Sequence, residues 1–315
     1  MKTAFLLSKQ NIPLAVKEVI ALTDAKEYEI VDNLLILNSG FNDYERLAYT
    51  KRVYQLLFIT FKKTLKKDFE RFNWQSIYNK NFCIRVINSK ESEKELAGYV
   101  WNSLKNPKVN LENPETEIHL IKKKSKFFCC KLIKEIKGGE FEERMPHKRP
   151  AMHPSSLHPR LARAVINLTG IKRGAVLDPF CGTGGILIEA GLIGLKPIGY
   201  DIDKAMIKRA EANLKHYKLK NYLLELRDST LLNKKVDYIV TDLPYGRNTS
   251  PKNLLRTYED FLKALDNILV KKAVVIFPDF INYKRIIGKT NLKIENEFTY
   301  YIHKSLSKKI VLIKK

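Results

Sequence analysis

The stretch VLDPFCGTGGILIEAG, residues 176–191, decides the fold. Val176 and Leu177 run into Asp178, then Gly182, Gly184 and Gly185 open a turn, and from Ile186 the apolar spacing becomes helical. A strand, a glycine turn and a helix in such quick succession let the backbone approach a ligand at a helix N-terminus. The glycines are spaced G-x-G-G and no Lys-Ser or Lys-Thr follows them. The turn is therefore neither a phosphate-cradling P-loop nor the G-x-G-x-x-G dinucleotide turn.

Downstream, the same alternation repeats. A strand over residues 197–200 ends in Asp201, and a helix over residues 205–217 carries the stripe Ile207, Ala210, Leu214 and Tyr217 with Asp203 placed to cap it. A strand over residues 223–226 leads into Arg227, Asp228 and Ser229, and the apolar run 236–240 ends in TDLPYGR, residues 241–247. Near-continuous apolar strands between helices predict a parallel sheet covered on both faces. Asp178, Asp201, Asp228 and Asp242 each fall at the carboxyl end of a successive predicted strand, where open α/β sheets bind their ligands. Any one of them alone reads as a turn residue or a helix cap; the four together predict a site. Asp201 is placed to accept from the hydroxyls of a ribose, and Asp228 to meet an adenine amino group.

Upstream, Gly138 and Gly139 begin a charged, proline-punctuated stretch that predicts a linker over residues 138–155. A new domain then opens at His158-Pro159, with Leu161, Ala162, Val165 and Ile166 as its first helical stripe. The first half reads as mixed α+β. Strands are expected over residues 3–8 and 34–37, a helix over 13–22, and a second helix from Asn42 and Glu45 through Leu47, Tyr54, Leu57, Phe58 and Phe61. Phe82, Ile84 and Val86 alternate as a strand, Leu96, Val100 and Leu104 space as a helix, and residues 117–121 and 127–133 form a strand pair.

The 315 residues are 44% hydrophobic, enough for two or three packed domains, and carry a formal net charge of +23. That excess predicts a polyanionic partner. No apolar run approaches a membrane span, and the apolar part of the N-terminus is short for a signal peptide, so nucleic acid in the cytoplasm is expected rather than a membrane. Cys83, Cys129, Cys130 and Cys181 show neither CxxC pairs nor zinc-like histidine spacing, so reduced thiols are expected, with no metal and no disulfide. Lys62, Lys63, Lys66 and Lys67, and Lys122, Lys123, Lys124 and Lys126, cluster near Phe61, Phe69, Phe72, Trp74, Phe127 and Phe128 as an RNA-backbone face would.

DPFCGTGG, GYDID, RDS and DLPYG, taken in order, resemble motifs of the class I S-adenosylmethionine (SAM) methyltransferases that methylate amino groups. The chain resembles the archaeal tRNA (guanine-10, N2)-methyltransferase family. SSLHPRLARAVINLTG resembles that family's opening helix, and NPETEIHLIKKKSKFFCCKLI the last strands of its THUMP RNA-binding region. The resemblance implies a Rossmann-like, seven-stranded, mostly parallel catalytic domain over residues 156–315. Ahead of it would lie a ferredoxin-like α+β subdomain over 1–60 and a THUMP-like domain over 61–137. It implies SAM held by Asp178, Cys181, Gly182, Thr183, Gly184, Asp201, Ile202, Asp228 and Ser229, with Ser156 and His158 toward its methionine end, and tRNA as partner. Asp242 would accept one hydrogen of the guanine amine, the carbonyl of Leu243 the other, and Pro244 and Tyr245 would complete a pocket in which the ring stacks on the extruded base.

Leu243 departs from the family pattern, which has proline there; the carbonyl is kept, but the fixed φ is lost and a less rigid loop is expected. Cys181 sits in the cofactor loop rather than in a Pro-Cys acceptor motif, so packing is expected of it, not nucleophilic attack. Other readings are an amino methyltransferase acting on another guanine of tRNA or rRNA, or on adenine, and a non-catalytic RNA-binding protein of the same fold. The last predicts loss of the glycines or of Asp242, and both are present. A tRNA thiolation enzyme would need a Ser-Gly-Gly-x-Asp-Ser loop, which the chain lacks. The sequence leaves the methylation count, the oligomeric state and any small activator subunit open.

Overall fold

The computed structural model describes residues 2–153, 156–246, 251–303 and 306–315; Ser155 and Arg247 of the quoted motifs lie outside them. The first half contains β1 (Lys2–Leu7), α1 (Ile12–Thr23), β2 (Tyr28–Val31), β3 (Leu34–Asn38), β4 (Thr50–Phe61), α2 (Leu65–Arg71), β5 (Phe82–Ile87), α3 (Glu93–Asn102), β6 (Thr116–Lys123) and β7 (Lys126–Glu135). Its strands form one seven-stranded sheet in the order β2-β3-β1-β4-β7-β6-β5, antiparallel except for the β5–β6 pair.

The helix expected from Asn42 is instead a single 3-10 turn, Tyr44–Arg46, followed by β4. TKRVYQLLFITF is rich in β-branched and aromatic residues and pairs on both sides, with β1 and with β7, so sheet pairing outweighs its helical spacing. Because β4 crosses residue 60, the stretches 1–60 and 61–137 share one continuous sheet. Alternation along β7 sends Phe127 and Cys129 into the core under α2 and α3, and Phe128 and Cys130 into the core of the opposite face.

The second half contains α4 (Gly139–Glu143), α5 (Pro159–Leu168), β8 (Ala175–Asp178), α6 (Gly185–Leu192), β9 (Lys196–Asp201), α7 (Lys204–His216) and β10 (Leu223–Leu226). It continues through β11 (Val236–Asp242), α8 (Pro251–Ile268), β12 (Leu269–Pro278), α9 (Tyr283–Ile287), β13 (Lys293–His303) and β14 (Leu306–Lys314). The strand order is β10-β9-β8-β11-β12-β14-β13, parallel from β10 to β12, with β14 running antiparallel. Strand order reverses between β8 and β11, which opens a crevice at their carboxyl ends. One core joins these strands to Tyr258, Phe261 and Leu265 of α8; another packs Leu187 and Ile188 of α6 on Ala210 and Leu214 of α7.

Two compact units emerge, and the second is discontinuous: it comprises residues 13–24, 46–49 and 138–315. Glu18 of α1 explains why. Its fully buried carboxylate accepts from the Ala48 and Tyr49 amides at 2.8 and 2.9 Å and from Asn167 Nδ2 at 2.7 Å, and Asn167 Oδ1 accepts from Arg46 Nε at 3.0 Å. Nor are residues 138–153 a free linker. Arg144, next to α4, meets the buried Glu189 at 2.7 Å, Arg163 of α5 meets the same carboxylate at 2.7 Å, and Phe141 lies against Arg144, Arg160 and Arg163. A buried carboxylate between two guanidiniums is tolerable because every charge has a partner.

Candidate active site

The glycine turn is built by backbone chemistry. Gly182 and Gly184 both have positive φ, +51° and +80°, and a Cβ on Gly184 would meet the Ala210 Cβ at 3.3 Å. The Gly184 amide closes the turn on the Cys181 carbonyl at 2.8 Å, and the Cys181 amide bonds the Tyr200 carbonyl at 2.9 Å, tying the turn to β9. Asp201 then holds the turn from the other side: Oδ2 accepts from the Gly182 amide and Oδ1 from the Asp203 amide, both at 2.9 Å. Burial raises the Asp201 carboxyl despite those donors. Above Gly182 nothing lies within 4 Å of where a Cβ would stand, so the loop faces open space.

The other predicted residues fall around that space in different roles. Asp178 is buried; Oδ1 accepts from the Thr241 hydroxyl at 2.8 Å and the Phe180 amide at 3.2 Å, and burial pushes its carboxyl from the ordinary 3.8 up to about 8. It therefore pins β8 to β11. Asp228 caps the turn Ser229–Leu231 through the Thr230 amide, and the Ser229 hydroxyl bonds the Pro179 carbonyl. Ile202 stands 72% exposed beside Asp201. Cys181 is buried in the α6–α7 core with its thiol pushed far up by burial, which suits packing rather than nucleophilic attack. Ser156 and Thr183 share a hydroxyl contact at 2.9 Å, and His158 caps α5 through Nδ1, its imidazole kept neutral-favouring by burial.

At the end of β11, Asp242 Oδ1 accepts from the Tyr245 hydroxyl at 3.2 Å, and the Pro244 carbonyl accepts from the Tyr258 hydroxyl. Leu243 is fully buried among Leu254, Tyr258 and Phe277, and its amide bonds the Ile276 carbonyl at 3.1 Å. Proline could not make that bond, so a ladder hydrogen bond replaces the missing φ restraint. Beside Tyr245 a recess of 510 Å³ opens between Leu254, Phe280, Ile281, Asn282 and Arg285.

Two residues in this half escaped sequence reasoning. Lys308 of β14 meets Asp242 Oδ2 at 2.5 Å; its only signal is that it shares a strand face with Ile310 and Leu312. Asn213, buried on α7, clamps Ala151 through two 3.0 Å bonds and the Thr183 carbonyl at 2.9 Å. The lysine clusters divide. Lys62, Lys63, Lys66, Lys67 and Lys124 are exposed, and strand register places Lys126 opposite Phe61, itself half exposed. Lys122 lies over the Phe127 ring, 5.7 Å from its centroid. Lys123, by contrast, is buried on Asn33 Oδ1 at 2.5 Å, and Phe69, Trp74, Phe127 and Phe128 are core residues rather than a stacking surface.

A glycine turn after the first parallel strand, a carboxylate closing the second and an Asp-Leu-Pro-Tyr turn after the fourth, on this strand order, define a class I SAM-dependent methyltransferase. The family described as RMKL-like, methyltransferase domain, matches residues 146–308, just over half of the chain, and a DNA methylase family matches residues 9–212, stopping short of Asp242. The chain is 36% identical to the tRNA (guanine(10)-N2)-dimethyltransferase of Methanocaldococcus jannaschii over 75% of this chain and 68% of that one. It is 33% identical to the enzyme of the same name from Pyrococcus abyssi over 75% and 74%, and 28% identical to that of Methanothermobacter thermautotrophicus over the full length of both. The chain belongs to this family of tRNA guanine-N2 methyltransferases. The crystal structure of TrmN from Thermus thermophilus has the same fold, with a TM-score of 0.52 at 17% identity across 100% of both chains.

Proposed function

We propose that the chain transfers methyl groups from SAM to the exocyclic N2 amine of a guanine in tRNA, at position 10, once or twice. The observation that carries this is the placement of Asp242 at the carboxyl end of β11, next to β8 and its glycine turn, with a recess alongside Tyr245 large enough for a base. The residues present fit the cofactor. The open face of Gly182, a bond-anchored Asp201 carboxylate with lone pairs to spare and Asp228 one strand further on match a methionine chain, ribose hydroxyls and an adenine amine. Ile202, Ser229, Thr183, Ser156 and His158 border the same space in this reading.

SAM supplies an electrophilic methyl whose bonding electrons leave with sulfur as nitrogen captures it. The protein's task is then positioning. Guanine's amine has its lone pair delocalised into the ring; Asp242 accepts one N–H, the Leu243 carbonyl the other, and Tyr245 stacks on the base, so the lone pair is turned toward the methyl group. The nitrogen's surplus proton passes through Asp242 to water.

Mapping labelled nucleosides after incubation with radiolabelled SAM and unmodified tRNA transcripts tests the reading. Label in N2-methyl- or N2,N2-dimethylguanosine at position 10 is the expected result. Label confined to adenosine, or to none of the nucleosides, would overturn it.

A further inference from the structure

Asp242 has a partner that neither the motif nor the reaction calls for. Lys308 projects from β14, where strand register sets it between Pro278 of β12 and Tyr300 of β13. Its Nζ lies 2.5 Å from Asp242 Oδ2 and 4.8 Å from the centre of the Tyr245 ring, so one ammonium touches both polar parts of the acceptor turn. The lysine side chain is 6% exposed and the aspartate 14%. A lysine this deeply buried needs a carboxylate partner, and breaking such a pair leaves an uncompensated charge.

The two oxygens of Asp242 are therefore not equivalent. Oδ2 is committed to Lys308, whereas among the described residues Oδ1 carries only the longer 3.2 Å bond from the Tyr245 hydroxyl. An arriving amine can displace a neutral hydroxyl at 3.2 Å far more readily than a charge-assisted bond at 2.5 Å. We propose that Lys308 is a positioning residue for methyl transfer: it fixes the rotation of the Asp242 carboxylate, leaves Oδ1 alone to receive the amine, and keeps the carboxylate ionised while it does so. This rests on the amino-methylation reading above.

The surroundings make the third role necessary. Asp242 faces the Asp178 carboxyl of β8, the Tyr245 hydroxyl of its own turn, the Tyr258 hydroxyl of α8 and Lys308 of β14. Burial raises the Asp242 carboxyl, and Lys308 comes first among the groups that oppose the rise. A protonated Asp242 would offer a donor where the amine also offers a donor, and the amine would lose its acceptor. The lysine has a second chemical consequence. A carboxylate held by a cation is a good acceptor and a weak base, so the amine is oriented before transfer and sheds its proton only afterwards.

Lys308→Met and Lys308→Arg provide the test, with Lys308→Gln read in the same way should the methionine variant not fold. Two readouts are taken on the full chain: the pH dependence of single-turnover methyl transfer to tRNA transcripts, and, without substrate, the ¹³C titration of the Asp242 carboxyl, assigned by its loss in Asp242→Asn. The neutral variants should keep SAM affinity, lose 10-fold or more in rate at neutral pH, and titrate Asp242 at higher pH. The acid limb of the rate profile should move upward with it, so that raising the pH recovers part of the rate. Lys308→Arg should restore both. A folded neutral variant with wild-type rate, acid limb and carboxyl titration overturns the proposal. Wild-type protein that methylates no exocyclic amine overturns the amino-methylation reading instead, and the carboxyl titration still decides whether Lys308 holds Asp242 ionised.

Discussion

Single carboxylates around the crevice do different work, and burial separates them. Asp201 keeps both oxygens at the lip of the glycine turn. Asp201→Ala should weaken SAM binding by roughly 1–3 kcal/mol, through loss of a charged acceptor for the ribose. Titration calorimetry showing wild-type affinity would remove it from the site. Asp178 is instead a buried acid that favours its neutral form, with its carboxyl raised to about 8. Its folded value lies above the unfolded one, so its contribution to stability is present below the ordinary carboxylate range and fades as pH rises toward 8. Asp178→Asn removes that dependence, and melting curves should show the variant gaining on wild type between pH 5 and pH 8. A constant difference in melting temperature across that range would mean Asp178 is not buried as an acid.

Among the elements, the turn between β8 and α6 is the one whose geometry the sequence spells out. At Gly184 positive φ and the nearby Ala210 both oppose a side chain, so Gly184→Ala should lower stability by about 1–2 kcal/mol in urea unfolding, and more if α7 cannot shift. Equal stability would show that the turn relaxes. Strand, turn and helix signals here sit within a few residues of one another, which is why β8 to β11 and their four acids could be read in advance. β4 could not, because its helical spacing is overruled by partners at residues 3–7 and 126–135. The Asp242–Lys308 pair spans 66 residues, and the one local mark that separates Lys308 from Lys309 is the strand face it shares with Ile310 and Leu312, which names no partner. At the recess, Phe280 is 63% exposed in the turn that follows β12. Phe280→Ala should raise KM for tRNA by about 5-fold or more, given a stacking contribution of about 1–3 kcal/mol, with SAM affinity unchanged; steady-state kinetics showing an unaltered KM would exclude the ring from RNA contact.

For the molecule as a whole, the charge of +23 needs an address, and Lys62, Lys63, Lys124 and Lys126 gather at one end of the first sheet around Phe61. Changing these four to glutamine should flatten the slope of log affinity for tRNA against log salt by about 0.7–0.9 for each phosphate contact removed. Lys123→Gln should leave the slope alone and cost stability, since Lys123 is buried on Asn33. A filter-binding salt series in which the fourfold variant keeps the wild-type slope would place the RNA elsewhere. These tests require the intact chain. Cutting at residue 156 would strip Asn167 of Glu18 and Arg46, and Glu189 of Arg144.

That weave, in which the chain passes between its two units five times, has a consequence for how the protein is made. α1 leaves the ribosome well over a hundred residues before the Asn167 amide that meets Glu18 is synthesised. With synthesis at about 5–20 residues per second, the amphipathic helix is in solution for many seconds before its binding face exists. During that interval its apolar stripe, Leu14, Val19 and Leu22, is a natural hold for a chaperone, and the second unit cannot close until α1 is brought back to meet Asn167.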